Sequence, residues 1–511
     1  MSGPTRREVA GGIVAGALVA SAVAHAAGVG PAFGAAEPFT FEILKARARA
    51  LASQPYRPPP PRAGLQTLDF DAIGAVRYRP EAALWRDLPG ETAIEFFHLS
   101  RYAATPVKIH VVDGGTAREV VYAKSLFDIP SGNPAARLPG DLGFAGFRVM
   151  NGAGGGDWLA FLGAAYFRAA TPFNQYGLSA RGIALDTATY KTEEFPSFTE
   201  FWLGHDPDGT LVVFALLDGP SVAGAFRFVC RKGAAGLVQD IETELTFRNS
   251  VLRLGLAPNT SMYWYGAADR TQAVDWRPQI HDSDGLAMWT GAGERIWRPL
   301  DNPPKVVTNA FQDHNPRGFG LMQRDRVFAD YQDDGAFYDK RPSMWVEPVG
   351  AWGAGAVQLV ELPTALETFD NVVAFWTPTK TPAAGETIDV RYRLHWCDEE
   401  PDSVGVARVT ATRSGVAGRP GLPPKPNARK FVIDFAGGRL AGLTRASGVE
   451  AVVTVSRGAP TDVAAYPIVG AGGWRLMFDA PIAPGNTLDL RVFLRVNGEA
   501  LTETWVGQAF G

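Results

Sequence analysis

The chain has 511 residues, 46% of them apolar and 20% charged, with a net charge of −4. That composition describes a folded protein of two or three domains and, with no run of lysine or arginine, excludes a nucleic-acid or anionic-membrane surface, which needs clustered cations. Two cysteines, Cys230 and Cys397, allow one disulfide at most and no multi-cysteine zinc site.

The chain opens with MSGPTRREVAGGIVAGALVASAVAHAAG, in which Arg6 and Arg7 precede a small-residue apolar stretch from Ala10 to Ala24. Signal cleavage sites follow at AHA (24–26) and GAA (34–36). Residues 1–36 therefore read as a secretory signal of the twin-arginine type, and the protein as an exported one. The stretch falls short of the ~20 apolar residues of a membrane anchor.

Phe41, Leu44 and Leu51 then recur at helical spacing in FTFEILKARARALASQ, and the proline arm PYRPPPPRAG ends that helix. From about residue 66 the pattern becomes strand-like, as in VKIHVVD (107–113), FRFVCR (226–231) and NVVAFWTP (371–378). In IDVRYRLHW, Ile388, Val390, Tyr392, Leu394 and Trp396 alternate with Asp389, Arg391, Arg393 and His395, which predicts one apolar and one polar sheet face. The polar face either meets solvent or lines a groove. Residues 37–397 are expected to form a large double-layer β-sandwich and 398–404 (within CDEEPDS) a linker. Residues 405–511, with five more strand patterns, are expected to form a small sandwich of immunoglobulin-like size. The proline-rich RPGLPPKPNARK (419–430) reads as a long loop inside the small domain. The fold class is all-β.

Several motifs invite chemistry. NGAGGGDW (151–158) lacks the Lys-Ser/Thr ending of a phosphate loop, and Asp157 stands where a dinucleotide loop needs glycine. YGLSARG (176–182) puts its second glycine one position too late after Ser179 for a nucleophile elbow. The histidines show no metal-ligand spacing, so neither a metal nor a cofactor is expected. HDPDG (205–209) and HDSDG (281–285) each combine a histidine, two aspartates and a glycine, and each is also what a tight turn between strands needs. FADYQDDGAFYDKRPSMWVEP (328–348) packs Asp330, Asp333, Asp334 and Asp339 among Tyr331, Phe337, Tyr338 and Trp345. Aromatic faces with planar polar groups suit sugars, and paired carboxyls suit glycoside hydrolysis; a solvated acidic loop is the plainer alternative. Asp370 stands at the mouth of the apolar run Val372–Trp376, where burial would raise its pKa as a general acid requires; an Asp-Asn turn opening a strand is equally natural.

A series of segments resembles the periplasmic glucans biosynthesis proteins G and D of Gram-negative bacteria. They are LGFAGFRV (142–149), LGAAYFR (162–168), YGLSARGIALDTA (176–188), EEFPSFTEFW (193–202), RPQIHDSDGL (277–286), RIWRPL (295–300), GFGLMQRDRVF (318–328), RPSMWVEP (341–348), QLVELPT (358–364) and DNVVAFW (370–376). The signal is more like the D type. The resemblance implies a galactose-mutarotase-like large sandwich and an immunoglobulin-like C-terminal domain. It also implies an inverting glycoside hydrolase or transglycosylase acting on β-1,2-glucan. By the same resemblance Asp370 is the general acid, Asp282 the general base and Tyr338 the tyrosine of a mobile loop. Arg341, Trp345, Tyr176, Arg181 and Trp202 are the further substrate-binding candidates. Asp284 stands where many relatives have asparagine, and coupling to Asp282 is expected from it. The partners implied are the glucan and a membrane glucan synthase, with a homodimer left open. A non-catalytic glucan-binding or assembly factor is the alternative, and a mutarotase-type isomerase follows from fold analogy only.

Overall fold

The computed structural model describes residues 30–88, 92–152, 155–402, 405–470 and 472–511. The paired arginines and the AHA site lie outside them. The GAA site lies inside, in an edge strand, Ala32–Pro38, that pairs antiparallel with Thr116–Val121. Residues 32–36, which the sequence assigned to the signal, therefore extend the large sheet.

Helix Phe41–Ala52 begins where the Thr40 hydroxyl accepts the Ile43 N–H at 3.2 Å. Leu44 and Ala48 form its buried face, laid on Phe39, Trp202, Leu216 and Ala225. Lys45, Arg47 and Arg49 reach down to Glu242, Glu200 and Glu244 of the sheet. The proline arm follows without regular structure up to residue 62.

Two facing sheets carry the large body, one of ten strands and one of sixteen among the described residues, the last four of the sixteen lying in the small body described below. Their inner sides are filled with rings: Phe161 of the ten-stranded sheet lies 5.3 Å from Phe228 of the other, and Phe167 lies 6.4 Å from Trp396. Strand Thr387–Cys397 shows how the alternation builds this core. Val390, Tyr392, Leu394 and Trp396 are buried, while Arg393 pairs with Asp240 (2.9 Å) and Glu347 (3.1 Å) and His395 with Glu347 (2.8 Å). The polar face is thus a partly exposed ion-pair lattice, not a groove. Such pairs contribute about 0–1 kcal/mol each, so the ring-filled interior, not the lattice, holds the layers.

The small body has a four-stranded sheet of Arg408–Val416, Ala428–Ala436, Trp474–Pro481 and Thr461–Pro467. It packs over Glu450–Val455, Thr487–Val496 and Thr504–Phe510 through Phe431, Ile433, Phe435, Leu476, Leu490 and Val492. Residues 417–427 join two strands of this sheet, so the proline-rich stretch 419–430 is a loop only as far as 427 and its last three residues begin strand Ala428–Ala436. The boundary with the large body is more than a linker. Thr504–Phe510 pairs in parallel with Arg295–Pro299, with Trp505 opposite Trp297, so one sheet runs through both bodies. Ala287, Trp297, Met322 and Trp345 of the large body sit in the small body's core. In the expected linker, Glu400 is buried and accepts from Arg324 at 2.9 Å, and Asp398 pairs with Arg326; residues 403–404 lie outside the described ones. Both cysteines are free, Cys230 buried and Cys397 half-buried.

Candidate active site

The two HDxDG segments fold differently. Residues 205–209 turn the chain from Ser197–His205 into Leu211–Asp218: Gly209 N–H donates to Asp206 O (2.9 Å), Asp206 N–H to Thr210 O (2.9 Å), and Gly209 has φ +83°. Residues 281–285 make no such turn. Ile280–His281 pairs with Tyr263–Tyr265, Asp282 N–H donates to Met262 O (2.9 Å), and Asp284 N–H donates to Met322 O (2.9 Å). Gly285 then opens strand Gly285–Trp289 without a positive φ. A Cβ there would stand 2.1 Å from the Trp297 indole, so glycine is needed for close approach and not for turning.

This passage from strand to strand carries Asp282 inward, where it is 8% exposed. Its Oδ1 faces Arg341 Nε at 3.5 Å without a hydrogen bond from the protein. Burial raises its pKa, the Arg341 charge opposes that rise, and the nearby negative charge of Asp370 adds to it. Arg341 is fixed by donating to the Tyr176 carbonyl and by lying 5.0 Å over the Tyr338 ring. The Tyr338 hydroxyl donates to Glu367 Oε2 (3.1 Å), and burial together with Asp282 and Glu367 raises its pKa. Arg277 braces that wall, bonding Glu367 (2.8 Å), Asp333 (2.7 Å) and Asp275 (3.0 Å).

Asp370 comes to the same place from the other side, just before strand Val372–Pro378. The desolvation expected of it is absent: its side chain is 41% exposed and faces Arg168 Nη2 at 3.6 Å. The strand edge opens toward solvent instead of into the core. Arg168 is itself held by donating from Nε to the Ser179 hydroxyl at 2.6 Å, which gives Ser179 a positioning part and not a nucleophilic one. Asn371, next in the chain, is fully buried and hydrogen-bonded to the main chain of Tyr263.

The other sequence candidates divide. Tyr176 reaches Arg341 through its carbonyl, while its hydroxyl donates to Asp157 (2.7 Å). Arg181 is buried, paired with Glu193 (2.9 Å) and set against the Tyr166 and Phe195 rings. Trp202 lies under the N-terminal helix, stacked at 5.1 Å on Phe39 and 5.0 Å on His110. Trp345 is buried in the core between the two bodies. Neither tryptophan stands with Asp282 and Asp370. Asp284 turns away from Asp282: Oδ2 accepts the Arg324 and Asp325 N–H groups (3.1 and 2.9 Å), and burial pushes its pKa up to about 6. Its main charged neighbours are Arg324 and Asp325, so the coupling to Asp282 expected from the sequence is replaced by a local one. In the 328–348 stretch Asp333 and Tyr338 join the site's wall, Asp339 is buried and Asp334 is exposed. Arg168, Arg277 and Glu367 complete the arrangement; the first two lie inside segments that carried the resemblance, and Glu367 had no signal in the sequence.

The arrangement offers two carboxyls near enough to feel each other's charge, each beside an arginine. A family described as "Periplasmic glucan biosynthesis protein, MdoG" matches residues 39–509. "Glucans biosynthesis protein D 2" of Ralstonia nicotianae is 49% identical over 492 residues, covering 93% of this chain and 91% of that protein. "Glucans biosynthesis protein D" of Stenotrophomonas maltophilia is 50% identical over 486 residues (93% and 90%), and that of Xanthomonas campestris 49% over 488 (93% and 91%). A solved structure, the Slr1438 protein from Synechocystis, aligns with 60% of this chain and all of its own at TM-score 0.16 and 8% identity, and carries no argument.

Proposed function

The chain belongs to the periplasmic glucan biosynthesis family MdoG, and from that membership we propose that it works in the periplasm on the β-1,2-linked backbone of a glucan. In this reading it arrives by the twin-arginine route, its large body is a galactose-mutarotase-like sandwich and its small body an immunoglobulin-like one.

In the catalytic form of the proposal, Asp370 protonates the leaving glycosidic oxygen while Asp282 takes a proton from water, or from an acceptor hydroxyl in transfer, with inversion. The observation that supports it is the closeness of Asp282 and Asp370, near enough to feel each other's charge and each with its own arginine. Arg341 favours the anionic Asp282 that a base must be. Asp370 is exposed without glucan, so a chain lying over it would supply the desolvation a proton donor needs.

The second reading is a non-catalytic glucan-binding or assembly factor. The relatives' names speak of biosynthesis and none of cleavage, so on names alone this reading stands ahead. One experiment separates the two. Purified protein is incubated with linear β-1,2-glucan, comparing wild type with Asp370→Asn and Asp282→Asn by product size, anomeric form and glucan binding. The catalytic form expects each variant to lose ~10²–10⁴-fold in turnover while still binding. Glucan bound but unchanged by wild type leaves the assembly reading; full activity in both variants overturns the roles given to Asp370 and Asp282.

A further inference from the structure

Among the described residues one tryptophan is exposed, Trp276, at 71%. The other twelve of the thirteen are buried or half-buried. Its neighbours in the chain make that exposure a fixed feature. Arg277 donates from its backbone N–H and from Nε to Asp275 Oδ1 (3.0 Å each), and its carbonyl accepts from the Tyr265 hydroxyl (3.3 Å). Its guanidinium then spans to Asp333 and Glu367 and lies 5.9 Å from the centre of the Trp276 ring. The indole is therefore held beside the wall that runs through Glu367 and Tyr338 to Arg341 and Asp282. Across the Arg277–Glu367 pair, Leu366 and Phe369 are also exposed, at 63% and 48%.

We propose that Trp276 is an outer binding platform for a pyranose ring of the glucan, beyond the bond between Asp282 and Asp370. A flat indole covers the C–H face of a sugar, and the planar Asp275, Arg277 and Glu367 groups beside it suit hydroxyls. An exposed indole on a braced loop loses little freedom when a ring stacks on it, so the contact adds affinity at small entropic cost. The site serves chain length: a glucan long enough to reach Trp276 gains the contact, and a shorter one does not.

The inference rests on the glucan reading above, and binding tests it apart from turnover. β-1,2-Gluco-oligosaccharides of increasing length are titrated into full-length wild type, Trp276→Ala, Trp276→Phe and, as a control, Val469→Ala, whose exposed side chain lies in the small body. Expected are about 5- to 10-fold weaker binding of long chains by Trp276→Ala, unchanged binding of the shortest, and most of the loss restored by Trp276→Phe. Long chains bound equally by wild type and Trp276→Ala overturn the platform and leave the glucan reading standing. No binding by wild type at any length overturns both.

Discussion

Asn371 and Tyr263 grip each other through the main chain: the Tyr263 N–H donates to Asn371 Oδ1 (2.9 Å), and Asn371 Nδ2 donates to the Tyr263 carbonyl (3.0 Å). Asn371 Nδ2 also donates to the Leu362 carbonyl (2.9 Å). Tyr263 pairs in register with His281, the neighbour of Asp282, and Asn371 follows Asp370. This one side chain therefore fixes where the two carboxyl-bearing segments stand.

Asn371→Ala leaves three buried main-chain groups without that partner. It is expected to cost about 2–5 kcal/mol in urea unfolding. If the protein turns glucan over, kcat falls more than KM rises. A change under 1 kcal/mol would discard the clamp.

Burial of Asp282 makes the fold's stability depend on pH. The folded pKa of Asp282 lies above the unfolded one, so the folded state keeps a proton that the unfolded chain has released. Stability is then lost as pH rises from the ordinary aspartate range through the folded value. Asp282→Asn is expected to melt higher than wild type at pH 7, with the gain fading below about pH 4; in the catalytic form of the proposal its turnover is lost as well. A variant that melts lower than wild type at pH 7 contradicts this.

A second acidic group, half-buried, lies where the bodies meet. Burial, with Asp301 and Glu361 adding, pushes Asp269 up to about 7, against the Tyr263 hydroxyl that donates to it at 2.8 Å and the charge of Arg429. Its segment Ala267–Gln272 is bound to the small body by the Ser414 hydroxyl, which donates to Ala268 O (3.0 Å). Deprotonation between about pH 4 and 7 thus weakens the fold. Asn can still accept from Tyr263, so Asp269→Asn is expected to gain about 1 kcal/mol or more at pH 8 and nothing near pH 4, read from thermal unfolding at both.

The two HDxDG glycines answer to different physics. Gly209→Ala meets open space and pays only for its left-handed backbone, about 1 kcal/mol. Gly285→Ala drives a methyl into the Trp297 indole and is expected to cost about 3 kcal/mol or more. Equal losses in chemical unfolding would remove the distinction.

The mature N-terminus follows from the edge strand. Cleavage at the GAA site would cut within Ala32–Pro38, so the intact mass of exported protein is expected to correspond to cleavage after Ala26. A chain starting at residue 37 would show the strand to be dispensable.

What the sequence made legible was local. Period-two runs such as Ile388–Trp396 foretell a buried and a charged face because alternation is a property of the strand itself. In the sequence Trp202 and Trp345 look like sugar contacts because a tryptophan that stacks on a ligand and one that fills a core are the same letter; their neighbours, Phe39 and His110 for one and the interbody core for the other, are what the fold adds. Glu367 lies ninety residues from Arg277, and no spacing announces a pair brought together by the folding of two sheets. Asp370 illustrates the reverse: its position at a strand edge was read correctly, but which way that edge faces depends on the rest of the fold.

The strand Thr504–Phe510 is flanked by Arg295–Pro299 on one side and Thr487–Val496 on the other, and it supplies the last residues of the chain to the interior of the larger sheet. Arg295–Pro299 therefore gains this neighbour only once the chain has been made through Phe510, so the two bodies complete their folding together. Removal of Thr504–Phe510 would leave the two halves of a shared sheet without the strand between them.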